Sequence, residues 1–225
     1  MPYRIAAVDG VEVSGRELTA ERLPLAAGGR YDLAFTMPAG PVLLTAGGRP
    51  MLALGHGEPR RAPAGPPLDI TRYATGSAVP PASFARQETW VLDRLLALRD
   101  GLPQLSHTVD GRVWPRVPPL VVRRGEWVRL TLVNRSGDHH PMHPHGHHVL
   151  VLSRDGAPAG PLWMDSFDVA PGEVWVVALR AGNPGVWLFH CHELLHAAQG
   201  MTAHLAYEGY GSPYAIGDAH GNHPE

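Results

Sequence analysis

The 225-residue sequence has one cysteine, no long apolar run and few charges, and each shortage excludes a class of protein. The single cysteine, Cys191, has no partner for a disulfide within the chain. The longest unbroken apolar run, Val174–Leu179, has six residues, whereas a membrane-spanning helix needs about 20. Charged residues make up 18% of the chain and the net charge is -2, so we expect neither nucleic acid nor a membrane as a partner. Lysine is absent altogether, a bias from which we infer no function.

Histidine, by contrast, is abundant and unevenly placed. Nine of the 14 histidines fall in two short windows, six between His139 and His148 and three between His190 and His196. Imidazoles are the commonest metal ligands in proteins, so this clustering predicts a metal site.

Short alternating segments and many turn residues, among them 26 Gly and 23 Pro, predict an all-β chain. Ile5–Val8 and Val11–Val13 flank Asp9-Gly10, a dipeptide typical of tight hairpins. We expect short helices only over Leu92–Arg99 and around Glu193–Ala198. Further strands are expected at 23–25, 31–35, 42–44, 127–133, 147–152, 167–169, 174–179, 186–189 and 203–207.

The strand and turn pattern divides the chain into two unequal parts. Residues 1–76 are too few for a complete β-sandwich, which takes about 100 residues, and are interpreted as part of one. Residues 77–85 are expected to be a linker, 86–211 a complete C-terminal sandwich and 212–225 a loose tail.

A strand predicted over Val186–Phe189 runs straight into the second histidine window. If extended geometry persists, His190 and His192 lie on one face of the strand and Cys191 on the other. His196 and Met201 follow at intervals of five residues, so one loop supplies a thiolate, an imidazole and a thioether. These are three of the four ligands of a blue copper site, which combines two His and one Cys with a weak axial Met.

The first window supplies the missing imidazole. His140 lies beyond the bend at Pro141 and is free to point towards Cys191, whereas His143 and His145 have the spacing that aims both at one face. Together with His190 and His192, the last two make four imidazoles for a second, all-nitrogen site.

The two motifs, His-Pro-x-His-x-His-Gly from His140 and His-Cys-His-x3-His-x4-Met from His190, resemble the third and fourth copper motifs of multicopper oxidases, the laccase-like family. The resemblance is specific from Phe84 to Tyr207 and weaker over Ile5–Phe35. It implies cupredoxin-like Greek-key β-sandwiches: a complete C-terminal domain and part of the middle domain.

The resemblance also implies a ligand set and a reaction. A type 1 copper would be held by His140, Cys191 and His196 with Met201 axial, a type 2 copper by His143, and the type 3 pair by His145, His190 and His192. A reducing small molecule or metal ion gives up electrons at the edge of His196. They pass through Cys191 to His190 and His192, and the trinuclear cluster reduces dioxygen to water.

The sequence departs from the family in one important respect. The family's trinuclear cluster uses eight histidines, and this sequence has no His-x-His motif before His143. We therefore expect a truncated chain, whose missing ligands come from an N-terminal cupredoxin domain or another subunit. The alternatives are a blue-copper electron-transfer module or an inactive fragment without oxygen chemistry, and zinc is the alternative metal.

Other residues are interpreted more simply. Asp165 and Asp168 could orient a ligand histidine or steer a substrate, although a strand-edge or turn position is the simpler interpretation. His147 is expected to pack beside the ligands. His56 and His107 are solitary in the sequence, and His204, His220 and His223 are expected at the surface. Met1–Val8 is not a signal peptide, and the family resemblance implies a periplasmic or extracellular location.

Overall fold

The computed structural model describes residues 1–59, 63, 65–76, 81–99 and 101–212, and these are almost entirely β. Besides its strands, the described chain has one single-turn 3₁₀ segment, Ile70–Arg72, and one short helix, α1, Leu194–Ala198. In chain order the strands are β1 (Arg4–Val8), β2 (Val11–Glu12), β3 (Tyr31–Ala34), β4 (Val42–Ala46), β5 (Arg49–Leu54), β6 (Arg86–Arg99), β7 (Leu102–Val109), β8 (Leu120–Val122), β9 (Trp127–Asn134), β10 (His140–Pro144), β11 (Val149–Arg154), β12 (Ala157–Pro158), β13 (Trp163–Met164), β14 (Phe167–Val169), β15 (Val174–Arg180), β16 (Val186–Cys191) and β17 (Thr202–Tyr207).

Two sheets form a sandwich from β6 onwards. One has the strand order β14-β10-β16-β17-β8, and the other β12-β11-β15-β9-β6-β7 with β13 beside β11. The pairs β6–β9 and β8–β17 are parallel, so the chain must cross over between these strands and is not a simple meander. The sheets meet through buried residues of alternating strands, such as Trp90 and Phe189, whose ring centroids are 4.8 Å apart. The predicted cupredoxin-like β-sandwich is confirmed.

The first 76 residues form smaller sheets that pack on this sandwich. Strand β1 pairs with β2 and β3, and β4 pairs with β5. Asp9 and Gly10 both have positive φ angles, 50° and 82°, so the predicted Asp-Gly hairpin is confirmed. Ile5, Leu18 and Tyr73 belong to the same buried cluster as the sandwich core. The strand predicted at residues 23–25 is wrong, since the nearby pairing is only an isolated bridge from Arg22 to Pro67.

The helix predicted over Leu92–Arg99 is also wrong, because these residues belong to strand β6. Leu, Ala and Arg are good helix formers, which favoured a helix locally. The register from Leu92↔Val109 to Arg99↔Leu102 gives every residue of the segment a partner on β7. Sheet pairing therefore outweighs local propensity here. The short helix predicted around Glu193–Ala198 is confirmed as α1.

The division into domains stays a prediction. Part of the expected linker, residues 77–80, and nearly all of the expected tail, residues 213–225, lie outside the described residues. No helix within the described part of the chain is long and apolar enough to cross a membrane.

Candidate metal centres

Strand β16 organises two clusters of potential ligands. It pairs with β10 so that Met142 lies opposite Cys191 and His143 opposite His190. Because side chains alternate along a strand, Cys191 faces one side of the sheet and His190 the other. We call Cys191, His140, His196 and Met201 the cysteine site, and His143, His145, His190 and His192 the imidazole site.

The cysteine site brings donor atoms from two strands and a helix to one buried point. The Cys191 Sγ atom lies 3.8 Å from His140 Nδ1 and 3.8 Å from His196 Nδ1. All three donor atoms lie within 4.8 Å of one another. Sulfur and nitrogen ligands that bind one ion at about 2.0–2.3 Å are separated by similar distances, so the donor set fits a single metal ion.

The loop from Cys191 to Met201 is closed by its own backbone. Met201 N–H donates to the His196 carbonyl at 3.0 Å, and Cys191 N–H donates to the Met201 carbonyl at 3.1 Å. Met201 is fully buried. The helix α1 carries His196 within this loop, so three potential ligands are held by one closed segment.

A chain of hydrogen bonds orients His140. Its Nε2–H donates to Ser136 Oγ at 2.8 Å, and the Ser136 hydroxyl donates to Asn134 Oδ1 at 2.9 Å. Asn134 in turn donates to the carbonyls of Asp138 and Val169. The proton of His140 therefore lies on Nε2, which leaves Nδ1 free to face Cys191.

Burial sets the protonation of the metal-free cysteine site. It raises the pKa of the Cys191 thiol to about 12. Burial, reinforced by the neighbouring imidazoles of His196 and His107, lowers the pKa of His140 to about 3. Without a cation the site therefore holds a neutral thiol beside a neutral imidazole, and a metal ion would be needed to stabilise the thiolate.

The imidazole site gathers four rings on the other side of β16. The Nε2 atoms of His145 and His190 are 2.8 Å apart. Ring centroids are 4.9 Å apart for His143 and His145, 5.5 Å for His143 and His192, and 5.9 Å for His190 and His192. Burial, with the three neighbouring imidazoles, lowers the pKa of His190 to about 4. Four imidazoles this close together form an all-nitrogen donor set.

A surface pocket of about 290 Å³ adjoins the cysteine site. His196 is half-buried and contributes to its wall, together with the carboxylates of Asp138, Asp168 and Glu193. The remaining lining residues are Leu25, Ala26, Ala27, His139 and Pro141.

Comparison with known proteins assigns the chain to a family. The model of the family described as multicopper oxidase matches residues 88–209, more than half of the chain. The chain belongs to the multicopper oxidase family. Members of this family are copper enzymes that act on a reducing substrate and dioxygen, and the resemblance found in the sequence is confirmed.

Two curated multicopper oxidases illustrate the relationship. The multicopper oxidase MmcO of Mycobacterium tuberculosis is 30% identical over 211 residues, which cover 88% of this chain and 40% of that protein. The iron transport multicopper oxidase FET3 of Saccharomyces cerevisiae is 31% identical over 120 residues, covering 44% of this chain and 18% of that protein. The chain thus spans less than half the length of these relatives.

A solved multicopper oxidase has the same fold over nearly the whole chain. The crystal structure of multi-copper oxidase from Pseudomonas thermotolerans matches with a TM-score of 0.69 at 26% identity. The match covers 92% of this chain and 49% of that chain. Because 92% of the chain is covered, the match includes most of the first 76 residues as well as the C-terminal sandwich.

Within this multicopper oxidase chain, His107 is the site residue that sequence reasoning missed. Its ring stacks on His196 with centroids 3.8 Å apart, and its Nδ1 lies 2.9 Å from Gln199 Oε1. Its Nε2 lies 3.4 Å from Asp138. Strand β7 is positioned by long-range pairing with β6, so nothing in the sequence around His107 indicated this contact.

The remaining histidines differ in outcome. His204 is buried against Trp114, so its expected surface position is wrong. His147 packs beside the imidazole site as expected, with its Nε2 2.7 Å from the Tyr207 hydroxyl. His139 is exposed and lies 2.7 Å from Asp168. His220 and His223 lie outside the described residues.

Proposed function

We propose that this chain supplies the type 1 copper site and half of the trinuclear cluster of a multicopper oxidase. In the proposal the cysteine site holds type 1 copper, with Met201 as the weak axial ligand. His143 binds type 2 copper, and His145, His190 and His192 bind the type 3 pair. One observation carries the proposal. The Cys191 Sγ atom lies 3.8 Å from two imidazole nitrogens, and the residues on either side of Cys191 in the sequence are histidines of the imidazole site.

Copper bound at these sites supplies one-electron oxidation of a reducing substrate and the reduction of dioxygen to water. The protein's part is to hold the donors and to connect the sites. Cys191 is bonded through the backbone to His190 and to His192, so a short covalent path joins the two ligand sets. The His190 Nδ1–H also donates to the Cys191 carbonyl at 2.8 Å, which adds a hydrogen-bonded route along the same path.

Electrons from the substrate enter at the pocket beside His196. The pocket is lined by three carboxylates, of which Asp138 is paired with Arg94 at 2.9 Å and Asp168 with His139 at 2.7 Å. Glu193 is exposed at the same wall. This distribution of charge favours a cationic donor, a metal ion or an amine, over an anionic one.

The four imidazoles of the imidazole site are half of the set used by the family. In our proposal the other four come from another cupredoxin domain or from a partner subunit. The second candidate function is a blue-copper electron-transfer module, which uses the cysteine site alone. The same Cys191 geometry supports it, because that site is assembled from residues of this chain.

The test is copper stoichiometry and a visible spectrum of the purified, copper-loaded chain, followed by oxygen uptake with a reducing donor. We expect an intense blue absorption that the zinc-loaded chain lacks. Blue protein with one copper and no oxygen uptake would support the electron-transfer module for the isolated chain. About four coppers per chain with oxygen uptake would show that imidazoles from elsewhere complete the cluster. Bound copper without blue colour would contradict the type 1 assignment.

A further inference from the structure

We propose that Asp9 is a positioning residue for the imidazole site. It lies in residues 1–76, here called the first segment, which contribute none of the proposed ligands. Its carboxylate fixes the backbone of Asp165 and Ser166, and the Asp165 carbonyl fixes the tautomer of His143. The inference rests on the proposed role of His143 as a copper ligand.

The Asp9 carboxylate is buried, and both of its oxygens accept hydrogen bonds. Its side chain is 1% exposed. Oδ1 accepts the backbone N–H of Arg30 at 2.8 Å, and Oδ2 accepts the backbone N–H groups of Asp165 at 2.9 Å and Ser166 at 3.1 Å. One side chain therefore ties the β1–β2 turn to Arg30, the residue just before β3, and to the turn between β13 and β14.

Other contacts from the first segment hold the same turn. Arg30 donates from Nη1 and Nη2 to the two carboxylate oxygens of Asp165, at 2.9 and 2.8 Å. The Ser166 hydroxyl donates to the Ala27 carbonyl at 2.6 Å. A two-point guanidinium–carboxylate contact fixes orientation as well as distance, so the Asp165 peptide is held from several directions.

The Asp165 peptide forms a hydrogen bond with His143. The Nδ1–H group of His143 donates to the Asp165 carbonyl at 2.5 Å. A carbonyl can only accept, so the proton must lie on Nδ1 and Nε2 is left as the nitrogen with a free lone pair. The ring of His143 lies 4.9 Å from that of His145, within the imidazole site. Displacement of the Asp165 carbonyl would release both the tautomer and the orientation of the ring.

The first segment also supports a second imidazole. A Cβ atom built on Gly28 would lie 2.6 Å from Cδ2 of His192, and Gly28 has a φ of 80°. The backbone therefore approaches His192 as closely as a residue without a side chain permits. The first segment thus approaches His192 directly and acts on His143 through Asp165.

The substitution that separates positioning from turn formation is Asp9→Asn. Asn tolerates the positive φ of this turn, so the hairpin is preserved. It has only one acceptor oxygen, however, and its NH₂ group would face backbone N–H donors on one side or the other. The matched control is Glu12→Gln, which makes the same change of charge on an exposed side chain of the same hairpin.

The decisive measurement is the tautomer of His143 in the metal-free chain, read from two-bond ¹H–¹⁵N spectra at a pH well above the usual imidazole pKa of about 6.5. His143→Gln identifies the resonance. We expect a single Nδ1–H tautomer in the parent chain and in Glu12→Gln, and a mixture of tautomers in Asp9→Asn. Copper binding beyond the first equivalent should weaken roughly 10- to 100-fold in Asp9→Asn, with the blue absorption unchanged.

A second variant guards against loss of folding. Arg30→Met removes the guanidinium from Asp165 at a side chain that is 52% exposed, and it should give the same mixture of tautomers. A single tautomer retained in both variants, or the same change in Glu12→Gln, would overturn the positioning role. Absence of blue colour in the copper-loaded parent chain would contradict the proposed function. The tautomer of His143 in the metal-free chain would still test the positioning role of Asp9.

Discussion

The cysteine site combines a thiol that is hard to ionise with an imidazole that is hard to protonate. Burial holds the pKa of Cys191 at about 12 and that of His140 at about 3. A bound cation stabilises the thiolate and is compatible with a neutral imidazole. Metal loading should therefore release a proton from Cys191, and the affinity for metal should rise with pH.

Cys191→Ser tests the residue on which the type 1 assignment depends. A serine hydroxyl does not provide the thiolate of a blue copper site, so the blue absorption should disappear. His143, His145, His190 and His192 should still hold some copper. Copper analysis and visible spectroscopy check this, and blue colour retained in the variant would contradict the assignment.

Ser136→Ala tests the hydrogen-bond chain behind His140. Without the acceptor at 2.8 Å, the proton of His140 is free to move to Nδ1, the nitrogen that faces Cys191. We expect the affinity of the cysteine site for copper to fall roughly 10- to 100-fold. Competition with a chelator measures it, with Ser153→Ala in the other sheet as the control. Equal copper affinities of Ser136→Ala and Ser153→Ala would show that the hydrogen bonds through Ser136 do not orient His140.

At the scale of elements, the sequence predicted the strands better than the contacts between them. Alternation in Trp127–Val133 and the Asp9-Gly10 turn are local signals, and both elements are present in the structure, the first as strand Trp127–Asn134. The helix predicted over Leu92–Arg99 is wrong because pairing with β7 is a long-range interaction, and local helix propensity contains no information about it. The ligand candidates could be predicted because their spacing is a local feature of the sequence. His107 could not, because it stacks on His196 only through the placement of strand β7.

Gly200→Ala tests the loop that carries three of the proposed ligands. Gly200 has a φ of 126°, and an added Cβ would lie 2.6 Å from Val113 Cβ. The control is Gly156→Ala, which has a φ of 75° but nothing within 4 Å of the added atom. The control should cost about 1–2 kcal/mol for the left-handed conformation.

The clash in Gly200→Ala should add about 1–3 kcal/mol to the free energy lost in the control. Urea unfolding measures both variants. Because Gly200 precedes Met201, the blue absorption should also shift in Gly200→Ala and stay unchanged in Gly156→Ala. Equal stabilities of the two variants would mean that the loop adapts without strain.

On the scale of the whole molecule, the first 76 residues and the sandwich share one buried core. The sequence suggested a division between them, because turn residues and a change of composition are visible in a sequence. The shared contacts of Asp9 with Asp165 and Ser166 are not visible there, since 156 positions separate the first pair. We therefore expect the described chain to unfold as one cooperative unit.

The stability of the metal-free chain should fall as the pH is lowered from about 6.5. The unfolded chain takes up protons on its histidines below that pH, whereas folded His140 and His190 stay neutral down to about pH 3 and 4. Each such imidazole lowers the free energy of unfolding by up to about 1.4 kcal/mol per pH unit. Urea unfolding at pH 7, 6 and 5 measures the slope.

His190→Gln is the matched variant for this dependence. It removes one of the imidazoles whose pKa burial lowers, so the slope of stability against pH should be smaller than in the parent chain. Stability that stays constant or increases between pH 7 and 5 would contradict the prediction.

Covalent bonds at the end of strand β16 fix the distance between the two proposed centres. Cys191 and its two neighbours are consecutive residues, so warming the protein changes the length of the path between them very little. The pocket beside His196, in contrast, is lined by residues from several separate segments that are held together by non-covalent contacts. We therefore expect the path between the centres to keep its length on heating, whereas the encounter with the electron donor depends on non-covalent contacts at the pocket.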